Sequence, residues 1–197
     1  TYSRALIASL LLRSEFKKYE KGFLGVMIPT SAGCALTVLG SLMSGRTPVM
    51  INYSTGAADN CRYAQEKCDF KTIITSKALL DKIECPHVEG MVYIEDIMAS
   101  LSTLKKIKAA AISKLSAGSI KKMVSGGSDE KDAVILFTCG SEKDPKAVEL
   151  THNNIVSNIV SLSGRYKLNE NDSFLANLPY FHVFGLTANL WAPLFHG

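Results

Sequence analysis

The sequence predicts an α/β fold with mostly parallel sheets flanked by helices, and three observations carry that expectation. Short apolar runs alternate with helically spaced segments along the chain. The runs FLGVMI (23–28), TIIT (72–75) and VILF (134–137) are unbroken, as in strands covered on both faces. Hydrophobic residues make up 47% and charged residues 20% of the 197 positions, enough for a packed core and too apolar for wholesale disorder.

The elements follow in order. Residues 2–19 place Leu6, Ile7, Leu10, Leu11 and Phe16 on one helical face. Residues 23–28 read as a buried strand stopped by Pro29, and Thr30 or Ser31 caps a helix through Leu42. Gly45 ends that helix before a strand over 48–52. A helix over 57–68, a strand over 71–75, a short helix over 77–83 and a strand over 91–94 come next. In the segment after it, Ile97, Leu101, Leu104, Ala111, Ile112 and Leu115 are helically spaced, Gly118 breaks the pattern and a further turn covers 120–124. A strand over 133–138, a loop, a short return strand over 148–150 and a helix over 152–166 capped by Thr151 follow. The run SFLANL (173–178) reads as another strand, leading through PYFHVFG to an apolar helix at the chain's end.

The domain organisation expected is a first α/β subdomain over 1–124, a flexible SGGS-containing joint over 125–131, and a second unit over 132–197 that stops within an apolar segment, as an excised piece would. Net charge is +4, and the excess is local. Lys105, Lys106, Lys108, Lys114, Lys121 and Lys122 lie between Ile97 and Ser128 with no acid among them. A nucleic-acid binder would stripe its charge across a domain, so no nucleic-acid partner is expected. A basic amphipathic segment of this kind lies on an anionic membrane surface, docks an acidic carrier protein, or is a solvated helix face. The five cysteines are an odd number without a C-x-x-C pair, and no metal site is assigned. There is no apolar run of about 18 residues and no secretion signal, so the expected location is cytoplasmic, including the inner face of the cytoplasmic membrane.

The loop after the strand at 133–138, LFTCGSEKDPK, holds the chemistry. Gly140 lets backbone N–H groups approach an anion. Thr138 and Ser141 can donate hydroxyl hydrogen bonds, and Lys146 and Lys143 are point charges within reach of a phosphate. The spacing of a Walker loop and of a dinucleotide fingerprint is absent. The bland alternative is a polar hairpin turn with solvated lysines.

LFTCGSEKDPKAVELTHNNI resembles the phosphate-binding loop of the adenylate-forming (AMP-binding) superfamily of acyl-CoA synthetases and luciferases. The stretches GVMIPTSAG (25–33), PVMINYSTG (48–56) and LPYFHVFGLTANLWAPLFHG (178–197) are similar to the family in order and spacing, so the resemblance spans nearly the whole chain. The branch it most resembles is the long-chain acyl–acyl-carrier-protein synthetases fused to 2-acylglycerophosphoethanolamine acyltransferases.

The resemblance implies part of the large N-terminal domain of an adenylate-forming enzyme. Thr138, Cys139, Gly140, Ser141, Lys143 and Lys146 would hold the ATP phosphates, with Mg²⁺ sharing the charge. Phe181, His182, Phe184 and Gly185 would line the acyl and adenylate pocket; the alternative for His182 is a core histidine beside aromatics. The implied reaction activates a long-chain fatty acid to acyl-AMP and transfers it to acyl carrier protein or CoA, in service of lysophospholipid reacylation. Departures are Cys139 for the usual serine, and Lys143 and Ala147 for usual glycines; Asp144 adds a negative charge near the triphosphate. A non-glycine forced to positive φ costs about 1–2 kcal/mol. These departures keep a second reading open, a degenerate domain that binds nucleotide or acyl ligand without turnover. A third is a scaffold piece whose lysine segment recruits a membrane or carrier protein. The family's adenine-binding, ribose-binding and C-terminal lysine motifs lie beyond this sequence, so these residues alone are expected not to complete adenylation.

Overall fold

Side chains alternating at period two sort the strands onto two cores. The strands of this computed structural model are β1 (Phe23–Met27), β2 (Thr47–Met50), β3 (Ile73–Thr75), β4 (Met91–Tyr93), β5 (Asp132–Phe137) and β6 (Ala147–Thr151). They form one sheet in the order β4-β3-β1-β2-β5-β6, parallel throughout except for the antiparallel β5–β6 pair. Residues 132–197 thus add their strands to the sheet that residues 1–124 build. The structure describes residues 1–124, 128, 130–138, 145–169 and 171–197.

Leu24, Val26, Met50, Ile74, Val134 and Leu136 face one core, covered by α1 (Tyr2–Phe16), α2 (Ala32–Met43), α8 (His152–Tyr166) and the chain's last helical segment. Met27, Val49, Ile51, Ile73 and Ile135 face the other, covered by α3 (Ala57–Cys68) and α4 (Lys77–Lys82). Both faces are buried, which is why these strands read as continuous apolar runs. Helix α1 crosses α2 closely: a Cβ added at Gly40 would stand 2.7 Å from Leu12 Cβ. Its other side, with Leu10 and Leu11, packs on α6 (Thr103–Ile112) and α7 (Ala117–Val124). That double burial accounts for the Leu-Leu-Leu run at 10–12.

Three expectations are corrected. The lysine-rich segment before Gly118 is not one helix but two, α5 (Ile94–Ala99) and α6, and the further turn expected over 120–124 is part of α7, which has Gly118 inside it. Serines make the breaks: Ser102 Oγ accepts from Lys105 N at the start of α6, and Ser116 Oγ from Ser119 N at the start of α7. SFLANL is irregular rather than a strand and joins no sheet. Its Leu175 is 82% exposed, and Asn177 N turns back to Leu175 O at 3.0 Å, so only Phe174 reaches the core. The final apolar helix is divided into α9 (Val183–Leu186), a π-helical turn (Thr187–Trp191) and α10 (Ala192–His196). Among the described residues no helix is long and apolar enough to cross a membrane.

Ionised groups tie the turn after α1 to the amino ends of β2 and β3, and α1 itself to α6. Buried Arg46 donates to the carbonyls of Tyr19, Glu20 and Ser44 at 2.6, 2.9 and 2.9 Å. The Glu20 carboxylate accepts from Lys71 N, Thr72 N and Thr72 Oγ1 at 2.7–2.9 Å. Buried Glu15 pairs with Lys18 and with Lys105 of α6, the latter at 2.5 Å. Burial raises the pKa of both carboxyls, but the hydrogen bonds from Lys105 and Lys18 on Glu15, and from Thr72 on Glu20, outweigh it and hold both below the ordinary value of 4.5. A depressed folded pKa adds stability that is complete above the unfolded value and is lost as pH falls through the folded one. Urea midpoints are therefore expected to fall as pH drops below about 4.5. Glu15→Gln should cost about 1.5 kcal/mol at neutral pH, at the low end for a charged hydrogen bond because both lysines are half-exposed, and less at pH ~3. An unchanged pH dependence in that variant would refute the assignment.

Candidate functional site

Because β1, β2, β3 and β5 run parallel, their carboxyl ends reach one edge of the sheet. The connection leaving β2 returns over β1 to β3 and that leaving β5 turns the other way to β6, and open α/β sheets bind ligands where neighbouring strands' connections diverge in this way. A cavity of about 330 Å³ opens at the carboxyl ends of β2 and β5. Asn52 and Thr55 supply one wall from the β2–α3 loop, Asn60 and Tyr63 another from α3, and Phe137 and Thr138 a third from the end of β5.

The wall from the β2–α3 loop is fixed by amides. Asn52 Oδ1 accepts from Ser54 N at 2.8 Å. Asn60 Nδ2 donates to the carbonyls of Asn52 and Thr55 at 2.9 and 2.7 Å. The loop after β5 is closed at its base. Thr138 N donates to Lys146 O, and Lys146 N donates to Thr138 Oγ1, both at 3.0 Å. Tyr63 OH donates to Pro145 O at 2.7 Å, while its ring packs edge-on against Phe137 at 5.9 Å. Because Thr138 Oγ1 accepts from Lys146 N, the hydroxyl keeps its own hydrogen for another acceptor. Thr138 and Lys146 are exposed, one on each leg of the loop. Cys139, Gly140, Ser141 and Lys143 of the expected phosphate site, and Asp144 beside them, lie outside the described residues.

Residues 178–185 pack over the same edge. Thr30 Oγ1 donates to Leu178 O at 3.3 Å and accepts from Tyr180 N at 3.1 Å, joining this segment to the loop after β1. Phe181 is buried, lines the cavity and meets Tyr53 edge-on at 4.9 Å. The His182 ring lies 4.6 Å from that of Phe181 and is exposed, so it is not a core histidine. Phe184 lines a separate groove of about 270 Å³ beside Leu150, Ile155 and Leu162. Gly185 is buried where a Cβ would stand 2.2 Å from Pro179 O, so this turn requires glycine. The structure therefore brings Thr138 and Phe181 to one cavity, sets Lys146 on its loop leg, and does not bring Phe184 or Gly185 there.

Burial pushes the Cys34 and Cys61 thiols up to about 12, Cys61 with a smaller push from Cys85, so neither is a nucleophile at neutral pH. Burial likewise raises the Tyr180 phenol, with a smaller contribution from Cys34.

The sequence profile of the family described as AMP-binding enzyme matches residues 3–197. The chain belongs to the AMP-binding enzyme family. It is similar to a probable CoA ligase, CCL9, of Humulus lupulus, 30% identical over 127 residues that make up 64% of this chain and 23% of that one. It is also similar to long chain acyl-CoA synthetase 8 of Arabidopsis thaliana, 32% identical over 131 residues, 62% of this chain and 18% of that one. The chain thus spans less than a quarter of the length of these relatives. Among solved structures, o-succinylbenzoate CoA synthetase of Bacillus subtilis in complex with its acyl-adenylate intermediate superimposes with a TM-score of 0.77 at 17% identity, over 100% of this chain and 48% of that one. The same enzyme with ATP and magnesium ion gives 0.74, also at 17% identity. At that identity the likeness is one of fold, and it identifies the six-stranded sheet as that of this family's α/β domain.

The sequence singles out Thr138, which lines the cavity, and not Asn52, Asn60 or Tyr63, which line it too. The stretch NYSTGAADN carried a signal in its turn-forming residues, yet nothing in it announced that Tyr63 meets a loop 82 positions away. Tyr63→Phe keeps the ring on Phe137 and removes only the hydrogen bond to Pro145. It should cost about 1 kcal/mol and speed hydrogen exchange at the Lys146 amide. Exchange unchanged at the Lys146 and Ala147 amides would show that Tyr63 does not tether this leg.

Proposed function

We propose that this chain is the phosphate-holding part of an ATP-dependent ligase that activates a long-chain fatty acid and passes it to a thiol. The observation that carries the reading is the carboxyl-edge cavity bounded by the Thr138–Lys146 loop base, in a chain of the AMP-binding family. In the proposed reaction a carboxylate oxygen of the fatty acid attacks the α-phosphorus of ATP, and the α–β bridging P–O bond breaks. Acyl-AMP and pyrophosphate result. A thiol sulfur then attacks the acyl carbon, its proton leaves to solvent or base, and AMP departs.

The demand on the protein is to neutralise phosphate charge and hold the reactants in line. The Thr138 hydroxyl and the Lys146 ammonium would meet the leaving pyrophosphate, together with Gly140, Ser141 and Lys143 of the loop. Among the described residues no cluster of three or more His, Cys, Asp or Glu side chains is arranged to hold a metal, so Mg²⁺ would enter on the nucleotide, held by phosphate oxygens and water. Phe181, beneath His182, would form the apolar wall next to the reacting carboxylate. CoA is the acceptor the relatives' names support. The sequence resemblance to the acyl-carrier-protein branch supports a carrier-protein thiol instead, with the acyl group then used to reacylate a lysophospholipid.

The test is ATP–pyrophosphate exchange by the full-length protein that contains this chain. Exchange should require a long-chain fatty acid, and Lys146→Ala should lower it about 100-fold, the usual effect of removing one stabilising donor. Thioester formation with CoA or with acyl carrier protein then identifies the acceptor. Folded protein that exchanges with no carboxylate would make the domain a binding module without turnover.

A further inference from the structure

Helix α6 is apolar on two sides. Inward, Ala109 and Ile112 pack with Leu10 and Leu11 of α1. Outward, Leu104, Ile107 and Ala111 recur at helical spacing, and Leu104 is 79% and Ile107 60% exposed. Leu115, in the turn after the helix, is 51% exposed. A soluble helix that has already buried one face has no need of this second stripe.

The charges beside the stripe are of one sign. Lys106, Lys108, Lys114, Lys121 and Lys122 are all exposed, and no acid occurs from Ile97 to Ser128. The nearest preceding acids are committed elsewhere: Asp96 pairs with Lys77 at 2.5 Å, and Glu95 accepts from Ser76 at 2.7 Å. Lys105 belongs to a different set, because its ammonium is held by buried Glu15. That bond and the α7 anchor, Arg13 Nη2 donating to Met123 O at 2.9 Å, fix the segment to the body of the protein.

We propose that the outer face of α6 and the following turn is a docking surface for an anionic lipid membrane. Leu104, Ile107 and Leu115 enter the headgroup–acyl boundary, and Lys106, Lys108 and Lys114 meet lipid phosphates, their aliphatic stems lying along the apolar stripe. The composition favours lipid over a protein partner. Protein interfaces are enriched in arginine and aromatic residues and poor in lysine, whereas this face carries lysine alone beside leucine and isoleucine. The inference stands independently of the ligase reading.

The full-length protein that contains this chain is mixed with vesicles of phosphatidylcholine alone and of phosphatidylcholine with phosphatidylglycerol, and bound protein is measured by co-sedimentation. Binding is expected to the anionic vesicles only, with release at about 0.5 M salt, where screening shortens to about 4 Å. Each lysine neutralised should weaken partitioning about fivefold, so the triple variant Lys106→Glu, Lys108→Glu, Lys114→Glu should no longer sediment. The pair Leu104→Ser, Ile107→Ser should weaken it at least fivefold with circular dichroism unchanged. Absence of binding to anionic vesicles, equal binding to both kinds, or wild-type binding by either variant overturns the proposal. Capture of an acidic carrier protein without vesicle binding overturns it as well, and makes the face a protein dock.

Discussion

Strand β5 lies parallel to β2 with Val49 opposite Ile135 and Met50 opposite Leu136, and the site exists only because of that pairing. The pairing carries β5 to the edge where β2 ends, so Phe137 and Thr138 arrive beside Asn52 and Thr55. Both faces of β5 are apolar, with Val134 and Leu136 toward one core and Ile135 toward the other. A slip of one residue would exchange these faces without exposing a polar group, so hydrophobic pattern alone sets the register weakly. Polar contacts set it instead. Thr47 Oγ1 donates to Asp132 O at 3.1 Å at the start of the strand, and the antiparallel partner β6 runs directly into α8 through a reciprocal cap. In that cap Thr151 Oγ1 accepts from Asn154 N and Asn154 Oδ1 accepts from Thr151 N.

The same logic explains what could be read from the sequence. Helices α3 and α8 match their expected bounds because their periodicity and flanking residues agree, including the Thr151 cap foreseen from local spacing. Local information failed where a distant partner or a competing cap decided. SFLANL has the composition of a strand, but a strand needs a neighbour, and none lies beside it among the described residues. The lysine-rich segment has helical spacing throughout, but Ser102 and Ser116 offer the backbone caps that end one helix and begin another. At the site, Thr138 and Lys146 were legible as one contiguous loop. Tyr63 was not, because its role is set by Pro145, far along the chain.

The sheet divides its labour between its two edges. At the amino ends of the strands, Arg46 and Glu20 satisfy backbone groups of the chain entering β1 and β3. Arg46 is buried and charged, and burial lowers its pKa against a smaller opposing pull from Glu20, yet three carbonyls take its hydrogen bonds. Such groups hold the fold and face no cavity of the candidate site.

The carboxyl edge is built differently. The described residues that line its cavity are amides, hydroxyls, aromatics and aliphatics, with no carboxylate among them. A carboxylate there would repel a triphosphate and would itself need a partner. Neutral donors ask for neither, and they can turn toward an anion or a carbonyl without a change of charge. The positive charge comes on the exposed leg of the loop, at Lys146. Stability is therefore drawn from ionised groups at one edge, and the opposite edge is left neutral and open. Of the loop's departures, Ala147 belongs to the sheet itself: it pairs with Phe137 across β5 and β6 and packs against the second core.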